Sequence, residues 1–148
     1  MRISVKARYG ISSMICIAQS YNTGECITII SLAEKLKISK IYLEQVFSLL
    51  KRAGLVTSTK GSQGGYQLAR MPSNISTFDV LSAIENALFE RAEATVLESQ
   101  KSIENAMQKN IFEPLDTCVA DTLSSISLAD LVAEVEKESF SEGYMYYL

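Results

Sequence analysis

The chain has 148 residues, 47% of them apolar and 21% charged, and a net charge of −3 at pH 7. That length suits one domain with an appended element, the apolar fraction excludes global disorder, and no apolar run approaches the roughly 20 residues of a membrane span. With no histidine and three scattered cysteines, Ser–His and Cys–His nucleophile systems and short-spaced Cys/His zinc sites are excluded.

No constellation of carboxylates or lysines takes their place, so the chain does not read as an enzyme. The start, MRISVKARYG, is basic but lacks an uninterrupted apolar segment and a cleavage site. No signal peptide is expected there, and a cytoplasmic protein with reduced thiols follows. Charge is placed unevenly. Residues 1–70 hold ten Lys/Arg and three acids, net +7, whereas residues 71–148 hold four Lys/Arg and fourteen acids, net −10. One half is suited to a polyanion and the other is not.

Ser4 is placed to cap a first helix running to about Tyr21, with Ala7, Ile11, Met14, Ile15 and Ala18 as its apolar stripe. Arg2, Lys6 and Arg8 stand at its start, where cations oppose the helix dipole, so either a phosphate contact or simple solvation is their role. Asn22-Thr23-Gly24 breaks the helix, and Cys26 to Ile29 has the composition of a short strand. Ser31-Leu32-Ala33-Glu34 spells a capping box for a second helix, Leu32 to Lys37.

Ile38-Ser39 then turns the chain into a third helix. Leu43, Val46, Phe47 and Leu50 fall at i, i+3, i+4 and i+7 and form a stripe that must be buried. Ile41, Glu44, Gln45, Ser48 and Arg52 lie on roughly the opposite side, with Lys51 beside them. Ser39 can cap the helix and Gly54 can end it. Leu55 to Thr59 and Tyr66 to Ala69 read as strands around a glycine-rich basic tip, Lys60-Gly61-Ser62-Gln63-Gly64-Gly65. A helix pair with so short a connection, followed by such a hairpin, is the layout of a winged helix-turn-helix that reads DNA. An ordinary helix with a surface hairpin is the alternative.

Ser76 or Thr77 caps a fourth helix to about Ala87, and the signal then weakens through Leu88 to Asn110. Phe112, Leu115, Val119, Leu123 and Ile126 recur at steps of three and four, a coiled-coil-like seam. Pro114 belongs in a first turn, so that helix is expected to begin near Phe112. Its apolar face can pair with a second copy or pack back on its own domain. Ser127 caps a last short helix, Leu128 to about Lys137. The fold class is therefore mainly α with a small β-hairpin wing. Residues 1–87 form the DNA-binding unit, and residues 88–148 carry a connecting segment, a dimerisation helix over about 112–125 and a tail.

MRISVKARYG, YLEQVFSLLKRAGLV (Tyr42 to Val56), KGSQGGYQLAR (Lys60 to Arg70) and ISLADLV (Ile126 to Val132) resemble the Rrf-two family of bacterial winged helix-turn-helix regulators. The resemblance is strongest over residues 1–87 and returns from Phe112 onward. It is nearer to the family's branch of cysteine-metabolism repressors than to its iron–sulfur regulators. It implies a homodimer that crosses a long helix with its partner and represses from an imperfect palindrome in double-stranded DNA. Ser39, Ile41, Tyr42, Glu44, Gln45 and Ser48 would face the major groove, and Lys60, Gly61 and Gln63 the minor groove or phosphates. Gln can read adenine and Glu can accept from cytosine, while Lys51 and Arg52 attract phosphates. Tyr42 and Tyr66 can also be core aromatics, the favoured reading for Tyr66.

Cluster-binding members of that family carry three close cysteines before the long helix. Val96 to Asn110 has none here, and one thiol cannot hold a cluster. No cofactor and no metal is therefore expected. Cys16 and Cys118 read as buried small hydrophobes, and Cys26 as the residue open to oxidation. The tail with Tyr144, Tyr146, Tyr147 and Leu148 resembles those of the cysteine-repressor branch, which work with O-acetylserine thiol-lyase. A terminal carboxylate beside an apolar side chain can enter an amino-acid site. The tail ends in Leu148 where that branch has isoleucine, and its tyrosines can instead pack on the dimer. The alternatives in function are a redox or stress regulator that uses the Cys26 or Cys118 thiol and a winged helix used for protein docking.

Overall fold

A computed structural model describes residues 2–146. The Ser4 hydroxyl accepts from the Ala7 amide at 3.1 Å and starts α1 (Val5–Gln19). Ala7, Met14, Ile17 and Ala18 of α1 are buried, and a single turn of 3₁₀ helix (Tyr21–Thr23) replaces the helical end expected at Tyr21. The expected strand at Cys26–Ile29 is reduced to one bridge. Ile27 donates to the Tyr66 carbonyl at 2.9 Å and Tyr66 donates back at 2.8 Å.

That bridge moves the next helix start. Thr28 follows it in extended geometry and its hydroxyl accepts from the Ser31 amide at 3.1 Å, so α2 runs Ile29–Leu36. The capping box expected at Ser31 and Glu34 does not form, because Ser31 already lies inside the helix and its hydroxyl bonds back to the Thr28 carbonyl. Lys37 closes α2 in the left-handed region, φ 57°. That single residue makes the tight turn into α3 (Lys40–Arg52).

In α3 the stripe Leu43, Val46, Phe47 and Leu50 is fully buried. Each such side chain contributes about 1.5–3 kcal/mol by leaving water. Gly54, φ 72°, ends the turn after α3 and delivers β1 (Val56–Thr59), which pairs antiparallel with β2 (Gly65–Leu68) from Val56–Leu68 to Thr59–Gly65. Tyr66 is half-buried with its ring 4.7 Å from that of Phe47, the core role expected of it.

The Ser76 hydroxyl and the Asp79 carboxylate exchange bonds with each other's backbone in a capping box that starts α4 (Thr77–Ile84). At Gly10 α1 crosses α4 so closely that a β-carbon would overlap Ile84 Cδ1. Turns and irregular chain then lead to α5 (Lys101–Met107), a π turn (Gln108–Phe112) and α6 (Glu113–Ser124). The helix expected to begin near Phe112 is thus the continuation of an earlier one. Pro114 cannot donate to a carbonyl four residues back. The wider turn ahead of it, in which the Glu113 amide bonds the Gln108 carbonyl, lets the rod pass through the proline.

α6 lies against α4, and α7 (Leu128–Tyr146) lies against α1. The expected end of the last helix near Lys137 is overrun to Tyr146. Thr77 donates to the Ile126 carbonyl at 2.8 Å and Leu128 to the Ile75 carbonyl at 2.9 Å, stitching the start of α7 to the start of α4. Leu128 is fully buried in the same core as Met14, Phe47 and Leu81. No helix among the described residues is long and apolar enough to cross a membrane.

Candidate nucleic-acid interface

The burial of one side of α3 decides what the other side offers. Ser39, Ile41, Tyr42, Glu44, Gln45, Ser48, Lys51 and Arg52 are all exposed. Ser39 occupies the capping position without making the side-chain bond expected of it, and it is exposed. Glu44 pairs with Lys40 one turn earlier at 3.7 Å. Gln45 and Ser48 have no side-chain partner among the described bonds.

α1 contributes to the same face. Lys6 joins Ile41, Glu44, Gln45, Ser48 and Leu49 around a shallow groove of about 490 Å³. Arg2 is exposed ahead of α1. Tyr9 stands edge-on to Tyr42 with ring centroids 5.7 Å apart, fixing a ring that is still 40% exposed.

The wing is tied to α3 at its far end. Lys51 Nζ donates to the Ser58 hydroxyl of β1 at 2.6 Å, so this ammonium braces the wing as well as adding positive charge. Lys60, Gly61, Ser62 and Gln63 are exposed at the tip. Gly65, φ 146°, passes so close to Ile27 that a β-carbon would lie 2.7 Å from its carbonyl oxygen. Gln67 on β2 donates to the Gly24 carbonyl, a second tie between the wing and the segment before α2. The sequence did not single out Lys40, Tyr9 or Ser58. Lys40 was open to discovery through its i, i+4 spacing to Glu44, whereas Tyr9 and Ser58 reach the site only by tertiary packing.

The seam on the rod is divided. Phe112 is 38% and Leu115 55% exposed, and Ile103 and Ile111 extend the exposed apolar surface along α5 and the π turn at 50% and 54%. Val119, Leu123 and Ile126 are half-buried within the protomer, Leu123 against the common core. Tyr144 is 59% exposed on the last turns of α7, next to Met145 and one turn after Phe140. The Tyr146 side chain, Tyr147 and Leu148 lie outside the described residues.

Cys118, expected to be buried, is exposed, because α6 turns Val119, Ala120 and Leu123 towards the protomer and Cys118 away. Cys16 is buried in α1, and burial raises its thiol pKa against a smaller lowering by Lys35. Cys26 is half-buried ahead of α2. The three thiols lie apart in the fold's order, on α1, in the connection ahead of α2 and on α6. Among the described residues no group of three or more His, Cys, Asp and Glu side chains can hold a metal. The donor set does not fit an iron–sulfur cluster.

A sequence model of the Rrf2 family, described as an iron-dependent transcriptional regulator, matches residues 3–134. The regulator CymR of Bacillus subtilis (strain 168) is 33% identical over 148 residues, 100% of both chains. The solved structure of CymR, described there as the global cysteine regulator of B. subtilis, superposes with a TM-score of 0.75 at 30% identity over 90% of this chain and 98% of that one. IscR of T. potens superposes with a TM-score of 0.73 at 33% identity over 99% and 97% of the two chains. The chain thus belongs to the Rrf2 family of winged-helix DNA-binding transcriptional regulators, and within it is CymR-like.

Proposed function

We propose that the protein is a homodimeric, cytoplasmic repressor of cysteine or sulfur metabolism genes that binds a palindromic operator, is not an enzyme and holds no iron–sulfur cluster. The observation that carries this reading is the shared exposed face of α3, α1 and the wing. A polar helix side with Gln45, Glu44 and Ser48 at its centre and Lys6, Lys51, Arg52 and Lys60 around it matches a major groove flanked by phosphates. Arg2 adds to the phosphate contacts, and Ser39, Ile41 and Tyr42 meet the groove at the start of α3. Gly61 and Gln63 approach the minor groove from the wing.

The exposed stripe from Ile103 through Phe112 to Leu115 supports pairing with a second copy. Val119, Leu123 and Ile126 complete that surface from the protomer side. The relation to cysteine rests on the likeness to CymR over the whole chain. Tyr144, Tyr146, Tyr147 and Leu148 form the docking tail for O-acetylserine thiol-lyase.

The test is binding of the purified chain to fragments selected from genomic DNA. Enrichment of a palindrome bound at about 10⁻⁸ M or tighter, with affinity falling steeply as salt rises, is the expected result. If no palindrome is enriched, or if a random duplex shows no salt-dependent binding, the reading fails and a protein-docking role replaces it.

The exposure of Cys118 supports a second reading, in which a thiol controls the same regulator. Peroxide treatment decides it. Operator affinity unchanged in the wild type and in Cys26→Ser and Cys118→Ser variants removes the thiol from the mechanism.

A further inference from the structure

Glu104 on α5 is the one charged residue among those described that is buried, 8% exposed on a helix whose other residues are exposed apart from the half-buried Met107. It has no cationic partner among the described ion pairs. Its two oxygens accept only long bonds, from the Val96 amide and from the Gln108 side-chain amide, both at 3.3 Å. A carboxylate removed from water and served so thinly retains capacity for a strong donor.

It lines a cleft of about 560 Å³ between the chain after α4 and the α5–π–α6 rod. That volume lies in the roughly 300–1,000 Å³ range of small-molecule sites. Arg91, Asn105, Gln108, Lys109 and Glu113 share the lining. Residues 71–148 carry four Lys/Arg among fourteen acids, and two of the four stand here. Arg91 is paired with Glu113, while Lys109 has no carboxylate partner among the described ion pairs. One wall therefore presents an underserved buried carboxylate, and the cleft also presents cations. The π turn (Gln108–Phe112) that carries the rod through Pro114 lies in the same wall and holds Lys109 there.

We propose that this cleft binds a small zwitterionic metabolite of the α-amino-acid class, Glu104 taking the ammonium and Lys109 with Arg91 the carboxylate, as the effector of the regulator. The effector role rests on the reading of the protein as a DNA-binding repressor, but the binding site does not. Coupling is direct in the fold, since the rod that forms one wall continues into α6, which packs on α4 of the winged-helix unit. A ligand bridging the rod to the chain after α4 favours one placement of the rod over others, by as much as it binds that placement better.

The experiment uses the full chain and two readouts. Melting temperature is measured with each of the common L-α-amino acids and with its deaminated hydroxy-acid analogue. Operator affinity is measured by fluorescence anisotropy with and without them. Expected is a saturable rise in melting temperature with at least one amino acid, absent with the analogue that lacks the ammonium, and a change in operator affinity at the same concentrations. Affinity for that amino acid should fall by about tenfold or more in Glu104→Gln and also in Lys109→Ala, an exposed site where folding is not at stake.

If no amino acid raises the melting temperature of a chain that binds its operator, the site is refuted and the proposed function stands. The site is equally refuted if the analogue binds as well as the amino acid, or if both variants bind like the wild type. Amino-acid binding without operator binding refutes the repressor reading and the effector role, and leaves the site. Amino-acid binding with unchanged operator affinity refutes the effector role alone.

Discussion

Gln45 and Lys60 are both exposed polar side chains, yet they should fail differently when truncated. Gln45 stands on the outward face of α3, where a side-chain amide can pair with a base edge. Gln45→Ala is expected to relax preference at one base position at a cost of about 1–3 kcal/mol. Lys60 sits on the wing tip, where a cation against a duplex backbone releases a counterion whatever the sequence. Lys60→Ala should weaken binding to all duplexes and reduce the salt slope by about one. Anisotropy titrations against single-position operator variants at several salt concentrations separate the two, and identical profiles would dissolve the distinction. Thiols also divide by environment. Cys118 should be labelled first by an aromatic disulfide reagent and Cys16 last, because Cys118 is exposed and burial holds the Cys16 thiol protonated.

At the scale of the elements, α3 exists because one of its sides is core. Phe47 is fully buried and its ring packs on Tyr66 of the wing. Phe47→Ala should cost about 3–5 kcal/mol in chemical denaturation and loosen the wing along with the helix. The start of α7 is held by a different device. Asp130 accepts from the Ser127 amide and hydroxyl, both at 2.9 Å, and the backbone bond, followed by the hydroxyl, pulls its carboxyl pKa below the usual value. A depressed carboxyl pKa stabilises the fold at pH above the unfolded value, and that contribution is lost as pH falls through the lower, folded one. The stability difference between the wild type and Asp130→Ala should therefore be present at neutral pH and shrink in acid below the ordinary carboxylate range. A difference independent of pH would rule this account out.

For the whole molecule, the division of charge and the exposed stripe on the rod bear on assembly. If Ile111, Phe112 and Leu115 meet a second copy, Leu115→Asp places an unpaired charge in an apolar contact. Sedimentation should then show a dimer replaced by monomer, with operator affinity collapsing because one protomer reaches one half-site. A variant that sediments like the wild type would move the interface elsewhere. The tail is tested by removing Glu142 to Leu148 and comparing recovery of O-acetylserine thiol-lyase from native cytosol. Retention by the full chain alone is the expected result, and equal retention by both would end the tail's role.

The winged helix was legible in the residues because its signals are local. Leu43, Val46, Phe47 and Leu50 repeat at helical spacing, glycines mark the wing, and lysines and arginines gather in the first 70 residues. Each of these works over a few neighbours, so no knowledge of the distant chain is needed. Other features were decided only when remote segments met. Thr28 capped α2 in place of Ser31 because Ile27 paired with Tyr66, far along the chain. Pro114, a start signal by local rules, became an interior residue because a π turn ahead of it absorbed the missing donor. Cys118 was turned to solvent by the choice of which α6 face meets α4. Glu104 was buried by a loop eight residues before it, in a stretch with almost no periodic signal. Local spacing fixes which faces must be apolar, but which surfaces cover them depends on contacts that only the folded chain brings together.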